Sequence, residues 1–456
     1  VGLLATSITE RRAERKLSTL QILQPVGEWE TDNAKWGVNF PREYASWEST
    51  RFMNENTKYG GSGHRDYLKD DPRLVILFAG FGFSKEYNQA RGHFNALEDV
   101  KVTKRVNEKT PATCWTCKSP DVPRMMQAKG VAQFYASKFS DFKEEMRNTI
   151  GCLDCHDPKT MRLRISRPAL REAFASMGKD INKATHQEMR SLVCAQCHVS
   201  YYFEKKTNYL VFPWKRGLDA DSFDKYYDEV KFSDWTHPIS GAPMIKTRHP
   251  DYEIYMQGVH AFKNVSCADC HMPYKSEGGV KFTDHQVRSP LYNMANSCQV
   301  CHRWSETEIK QRVTAIQDKN RELLNIAQDA LVKAHFTIAD AAKLGATDQE
   351  LEGPRTLIRK AQMYWDYVAS NNGMGFHAPQ ECARVLGKAT NLAQECRLAA
   401  ERLRAKRGAI QEYVLPDIST FEKARAVIQP YLDAAKAREQ KEAAQQKQVR
   451  APGTKS

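Results

Sequence analysis

The chain has 456 residues, 41% of them hydrophobic and 27% charged, with 68 Lys+Arg against 55 Asp+Glu and a formal net charge of +13. That length accommodates two or three ordinary domains, and the apolar content suffices for a buried core, which excludes a disordered chain. No run of about 18 apolar residues occurs, so no transmembrane helix is predicted; the basic excess leaves nucleic acid, anionic lipid or an anionic substrate open.

In chain order, Val1-Gly2-Leu3-Leu4-Ala5-Thr6-Ser7 followed by Glu10-Arg11-Arg12 reads as the end of a removed signal or anchor segment. Residues 1–35 are taken as that N-terminal segment and 36–302 as a core. Ten of the 12 cysteines then fall in five pairs with two residues between the members. Four pairs are followed at once by histidine: Cys152/Cys155-His156, Cys194/Cys197-His198, Cys267/Cys270-His271 and Cys298/Cys301-His302. C-x-x-C-H is the attachment signal of c-type haem: two thiols one helical turn apart add to the vinyl groups, and the histidine becomes an axial ligand. Chance would supply about 0.01 such motifs in a chain of this composition. Zinc ribbons combine C-x-x-C pairs two by two, and five pairs leave one over. Five redox dithiols in one chain would be odd. Five covalently bound c-type haems are therefore predicted. Maturation of c-type cytochromes occurs outside the bacterial cytoplasmic membrane, which predicts export to the periplasm.

The first pair, Cys114/Cys117, is followed by Lys118 rather than histidine. An amine binds iron only when deprotonated, and free lysine titrates near pH 10.4, so Lys118 as a ligand requires the Lewis acidity of the metal and a shielded site. It also lacks the π system of imidazole, which alters the opposite face of the haem. Of 13 histidines, four belong to the motifs. The remainder are His64, His93, His186, His237, His249, His260, His285, His335 and His377, enough to give four haems a second imidazole. Counting does not say which.

Between the motifs the segments are short and rich in Pro, Gly and aromatics, predicting a mainly α fold of helices and loops with few strands, packed around haems. After residue 302 the pattern changes. Ser305 with Glu308 forms a capping box, and apolar residues recur at helical spacing from Ile309 to Ile338, ending at Gly345. That is about 40 residues, or about 60 Å of helix. Thr347 and Glu350 open a second helix ending near Gly373, and Pro379 opens a third reaching towards Gly408. Ser419 with Glu422 begins a fourth, which fades into a polar tail over 439–456. Residues 303–438 thus form a long-helix region of the same structural unit, and a stripe of that length predicts a bundle extended across a homodimer interface. Cys382 and Cys396 lie on the third helix about 21 Å apart, too far for a disulfide, and are predicted to be buried thiols.

With these motifs the sequence resembles the pentahaem cytochrome c nitrite reductases, which form ammonia. The resemblance runs from about Trp36 to the final helices. It rests on Cys114–Lys118 with Ser119-Pro120-Asp121-Val122, and on Arg91-Gly92-His93, His198-Val199 before Tyr201-Tyr202-Phe203 and Phe232-Ser233-Asp234-Trp235. His249-Pro250, Thr283-Asp284-His285 and His377-Ala378-Pro379 complete it. It implies that Lys118 holds a catalytic haem with an open distal position. It further implies that His93 serves the haem at Cys194/Cys197, His260 that at Cys298/Cys301, His285 that at Cys152/Cys155 and His377 that at Cys267/Cys270. Arg105, Tyr201 and His249 match the residues lining the distal pocket, with Arg91 and Lys104 as alternatives to Arg105. A cation and donors beside the iron suit a small anion such as nitrite, and His249 and Tyr201 suit proton supply.

One departure stands out. Members of that family commonly hold calcium beside the pocket, on the Glu before the Tyr, the Gln before the His, and backbone carbonyls at the Tyr and a nearby Lys. Here the two side-chain positions are Ser200 and Arg248, with Lys246 retained. Calcium wants carboxylate and carbonyl oxygens, and a guanidinium repels a dication. Calcium is predicted absent, with Arg248 substituting as the fixed positive charge.

The expected activity is the periplasmic six-electron reduction of nitrite to ammonium, with electrons from a quinol-oxidising multihaem cytochrome or a soluble cytochrome. The competing classes are a pure electron-transfer cytochrome and a relative that reduces hydroxylamine or sulfite. Five haems with ionised propionates lower the net charge to about +8 oxidised and about +3 reduced. The remainder suits an anionic substrate, and nucleic acid drops out as a partner.

Overall fold

The computed structural model describes residues 22–450; the opening run read as a signal or anchor remnant lies outside the described residues. Most of 22–302 is loop and short helix, because these segments wrap the five cysteine motifs and are broken by Pro and Gly every few residues. The helices that matter for the site are α1 (Arg73–Leu77), α2 (His186–Ala195), α3 (Asp251–Tyr255) and α4 (Cys267–His271). Strands among the described residues are short antiparallel pairs: β1 (Tyr202–Phe203) with β2 (Leu210–Val211), β3 (Trp235–Thr236) with β4 (Pro243–Met244), and β5 (Tyr274–Glu277) with β6 (Val280–Thr283). The fold is mainly α, as the sequence predicts.

Four long helices follow: α5 (Glu306–Lys343), α6 (Asp348–Ala369), α7 (Pro379–Ala405) and α8 (Phe421–Arg450). The capping boxes of Ser305 with Glu308 and Thr347 with Glu350 are both formed, since each needs only residues three apart. Two details differ from the sequence reading. The cap of α8 is Thr420, whose Oγ1 accepts from the Lys423 amide at 3.3 Å, while Ser419 Oγ accepts from the Lys423 ammonium at 3.3 Å. The helix also continues past Glu439 to Arg450 instead of fading there. That stretch is mostly Ala, Lys, Glu, Gln and Arg, strong helix formers that need no packed face.

α7 packs along both α5 and α6, and α1 packs against α5 and α8. One hydrophobic core runs through both regions, joining Val75, Trp115 and Trp214 to Leu331, Trp365 and Leu386. Cys382 and Cys396 are buried in it as free thiols, with Cys396 Sγ donating to the Pro354 carbonyl at 3.2 Å. The ten motif cysteines, by contrast, are half-buried or exposed.

Candidate haem sites and substrate pocket

The Lys118 motif is held rigidly from behind. Trp115 stacks on Phe139 at 3.7 Å between ring centres and donates its indole N–H to the Phe139 carbonyl at 2.9 Å. The Lys118 amide closes a turn on the Trp115 carbonyl at 2.9 Å. Arg167, fully buried, donates to the carbonyls of Thr116 (2.9 Å) and Ser119 (2.8 Å), one on each side of Lys118. The same guanidinium pairs with Asp154 at 2.5 Å, inside the Cys152/Cys155 motif, so one buried cation ties two motifs together. The acidic residue within a motif also acts locally. Asp154 accepts from the Gly151 amide at 2.8 Å and Asp269 from the Ser266 amide at 2.7 Å, capping the turn that carries the thiols.

The five motifs form a branched row. The thiols of Cys117 and Cys197 adjoin, as do those of Cys194 and Cys267. Cys155 also lies near Cys194, and Cys298 and Cys301 near Cys270. The Cys194/Cys197 motif is therefore the junction: it touches the Lys118 motif on one side and leads to the others on the opposite side.

Each C-x-x-C-H histidine faces one further imidazole. Ring centres are 6.3 Å apart for His198 and His93, 6.2 Å for His156 and His285, 6.3 Å for His271 and His377, and 6.4 Å for His302 and His260. Two imidazoles on opposite sides of one metal, with bonds of about 2.0 Å and about 1.1 Å from nitrogen to ring centre, require about 6.2 Å. The nitrogens also fit. Nδ1 of His156, His271 and His285 lies 2.9, 3.0 and 2.7 Å from the carbonyls of Met161, Arg288 and Thr283. A carbonyl only accepts, so Nδ1 carries the proton and Nε2 presents its lone pair to iron. The remaining histidines are accounted for. His64 and His186 are exposed. His237 and His335 stack at 3.9 Å in the core, with His237 Nε2 donating to Ile76 and His335 bonded on both nitrogens to Ser240 and Gln362. Among the described residues no imidazole is paired with Lys118.

Tyr201 and His249 sit at the Lys118 motif together with Arg105. Arg105 is exposed, lies 4.6 Å over the Phe83 ring, and has no carboxylate partner among the described residues; its field reaches Cys114 and Tyr201. Arg91, an alternative from sequence, is engaged by Asp99 at 2.5 Å and Glu98 at 3.5 Å, and Lys104 is exposed. Burial, against the opposing charge of Asp251, pushes the His249 imidazole down from its ordinary value. The ring is therefore neutral at physiological pH, a hydrogen-bonding group rather than a standing cation. Burial likewise raises the Tyr201 phenol, against the nearby guanidiniums of Arg248 and Arg105.

Behind these side chains, the segment 249–253 runs alongside 198–201. Tyr252 N donates to the His198 carbonyl at 3.1 Å, Asp251 Oδ2 lies 3.2 Å from His198 Nδ1, and Glu253 Oε1 accepts from the Ser200 amide at 2.8 Å and from Trp214 at 2.9 Å. At the departure noted above, Arg248 stands at φ +68°, a left-handed conformation uncommon for a bulky residue. Its guanidinium donates to the Lys246 carbonyl and to Asp234 at 2.5 and 3.1 Å, and lies 5.4 Å over the Tyr201 ring. Lys246 Nζ turns away and pairs with Asp366 of α6 at 2.8 Å; both are fully buried, and Asp366 also accepts from the Thr247 amide at 2.7 Å.

Comparison with known proteins fits this geometry. Residues 32–455 match the family model described as cytochrome c552. The chain belongs to the cytochrome c552 family. It is 48% identical to cytochrome c-552 of Parabacteroides distasonis, covering 97% of this chain and 90% of that one. Against cytochrome c-552 of Porphyromonas gingivalis it is 47% identical, over 94% and 88%. Among solved structures it resembles the cytochrome c nitrite reductase of Desulfovibrio desulfuricans, a catalytic subunit described with two calcium sites. The TM-score is 0.81 at 32% identity, covering 87% of this chain and 91% of that chain.

As a cytochrome c552 the chain is a c-type cytochrome with covalently bound haem. Several residues that shape the site escape sequence reading: Arg167, Asp234, Asp251, Glu253 and Asp366. Each is an ordinary charged residue to which no motif gives a role, Asp234 lying in a matching stretch but unassigned there, and only its partner more than ten positions away marks it. Asp251 and Glu253 carried one available signal, their place just after His249-Pro250.

Proposed function

We propose that this cytochrome reduces nitrite to ammonium, a six-electron reaction, in the periplasm. The observation that carries the reading is the asymmetry among the five motifs: four histidines each face a second imidazole at 6.2–6.4 Å, whereas Lys118 faces none among the described residues. His93/His198, His156/His285, His271/His377 and His260/His302 would hold four six-coordinate haems, and Lys118 the fifth, with one face free. When bound, the haem at Cys114/Cys117 supplies an iron for nitrite and the other four supply electrons. The chain's own groups do the rest. Arg105 draws in and orients the anion, its charge unspent on any carboxylate among the described residues. His249, neutral, hydrogen-bonds substrate oxygen. Tyr201, with a raised phenol, stays protonated and can hold a proton for delivery. The likeness to a nitrite reductase at 32% identity supports this reading.

Calcium is not required, on our reading. Arg248 donates to the Lys246 carbonyl, which a cation at that place would need, and Ser200 supplies no carboxylate. Elemental analysis giving about one calcium per chain would overturn this. A homodimer is inferred from the length of α5, 38 residues, and from the resemblance to the pentahaem reductases, and sedimentation as a monomer would overturn it. Electrons would come from a quinol-oxidising multihaem cytochrome or a soluble cytochrome.

The test is spectroscopic and kinetic. The purified ferric protein is expected to show one high-spin haem, lost on adding cyanide or nitrite, and viologen-driven turnover faster with nitrite than with hydroxylamine or sulfite. Lys118→His is expected to lose most nitrite turnover. Five low-spin haems with no turnover would make the protein an electron-transfer cytochrome, and preference for hydroxylamine or sulfite would reassign the substrate.

A further inference from the structure

The second nitrogens of the motif histidines are not treated alike. His156 and His271 donate Nδ1–H to backbone carbonyls. His198 alone among the described motif histidines meets a carboxylate, Asp251 Oδ2 at 3.2 Å. Asp251 is held in place by three other donors: Asn371 Nδ2 and the Asn372 amide on Oδ1, both at 2.8 Å, and Asn372 Nδ2 on Oδ2 at 2.6 Å. Its backbone is fixed as well, with its N–H on the His249 carbonyl at 2.7 Å. The carboxylate is thus aimed at one ring nitrogen by a dedicated loop at the C-terminal end of α6.

A carboxylate on Nδ1–H draws the proton towards itself, giving the ring imidazolate character and making Nε2 a stronger donor than a carbonyl partner does. A stronger donor and an added negative charge both favour ferric over ferrous iron. His198 belongs to the junction motif, whose Cys197 adjoins Cys117 of the Lys118 motif. We propose that Asp251 is a redox-positioning residue: through His198 it depresses the potential of the Cys194/Cys197 haem, the last relay before the Lys118 haem. The final transfer to the substrate site is then more strongly driven than it would be without the carboxylate, so an electron reaching the junction dwells there less. This rests on His198 being a haem ligand, as read above.

The experiment is a potentiometric titration of the holoenzyme followed by absorption and electron paramagnetic resonance, on wild type and three variants. Asp251→Asn removes the charge with little change of shape. It is expected to move one of the five midpoints positive by at least a tenfold change in that haem's reduction equilibrium, about 59 mV for one electron, and the other four by less. Asp251→Glu is expected to restore most of the shift. Asn372→Ala, at an exposed position, removes a competing donor from Oδ2 and is expected to move the same midpoint the opposite way. Should Asp251→Asn fail to fold, the sign of the Asn372→Ala shift decides. Unchanged midpoints in variants that keep all five haems would overturn the proposal and leave the ligand reading intact. Loss of the low-spin signal from wild type itself would instead remove the ligand reading.

Discussion

At Arg248 a left-handed backbone conformation and a buried ion pair meet. Its charge is balanced by Asp234, and one step away Lys246 is balanced by Asp366. Breaking one half of a buried pair strands the other charge, at about 3–5 kcal/mol. Asp366→Asn is therefore expected to destabilise the protein by about that amount in denaturant titration. Asn keeps one oxygen for the Thr247 amide but no charge for Lys246, and nitrite kcat/KM is expected to fall as the segment carrying Arg248 and His249 loosens. Asp366→Ala removes the acceptor for the Thr247 amide as well and is expected to be more destabilising. Glu253 makes a separate prediction about pH. Burial pushes its carboxyl up to about 8, against the opposing hydrogen bonds from Trp214 and Ser200. Between about 4.3, where the unfolded chain releases this proton, and 8 the folded protein keeps it. Its contribution to stability is therefore full below the lower value, is lost as pH rises through that window, and changes no further above it. Glu253→Gln keeps an oxygen for both donors and is expected to flatten the fall in unfolding midpoint between pH 5 and 8. These residues were not legible beforehand. The cysteine motifs declare themselves by spacing, and His93, His260, His285 and His377 came through a family resemblance. The worth of Asp251, Glu253 or Asp366 lies in what each touches across the fold, which no local pattern encodes.

Elements were legible where their determinants are local. Both capping boxes of α5 and α6 lie within four residues and read directly from the chain, whereas at α8 two adjacent hydroxyls, Ser419 and Thr420, competed for one cap, and only the turn geometry chose Thr420. Close approaches between elements, by contrast, are invisible in sequence. A Cβ on Gly258 would lie 1.8 Å from the His377 carbonyl oxygen, and one on Gly373 would lie 2.6 Å from His377 Nδ1. The first obstacle is backbone, which cannot swing aside, so these two glycines let the loop before α7 lie flat enough to face His271. Gly258→Ala is expected to displace His377 and convert one low-spin haem to high spin, read by electron paramagnetic resonance, together with a lowered thermal midpoint. Gly387, inside α7 with open space around its Cα, supplies the opposite case. Gly387→Ala is expected to stabilise the protein by about 0.5–1 kcal/mol with no change in any haem signal. A substitution that is identical on paper thus separates a packing constraint from a propensity cost.

Over the whole molecule, the formal charge of +13 acts as a field and not as a set of contacts. Most arginines and lysines near the site are bonded to carboxylates: Arg91 to Asp99, Arg248 to Asp234, Lys246 to Asp366. Haem propionates would neutralise a further share. What is left is a modest positive excess, with Lys104 and Arg105 exposed beside the Lys118 motif. Such a field raises the encounter rate of an anion without changing what happens after it binds. It is also screened: the Debye length falls from about 30 Å at 0.01 M salt to about 8 Å at 0.15 M. Nitrite kcat/KM is therefore expected to fall over that range while kcat, measured at saturating nitrite and donor, stays level. Arg105→Gln is expected to lower kcat/KM at every salt concentration, because it removes a contact, and to flatten the salt dependence, because it removes part of the field. Lys104→Gln is expected to affect only the second. If kcat/KM with nitrite proves indifferent to salt, the excess of basic residues serves the haems alone, and substrate capture rests on the pocket contacts of Arg105, Tyr201 and His249.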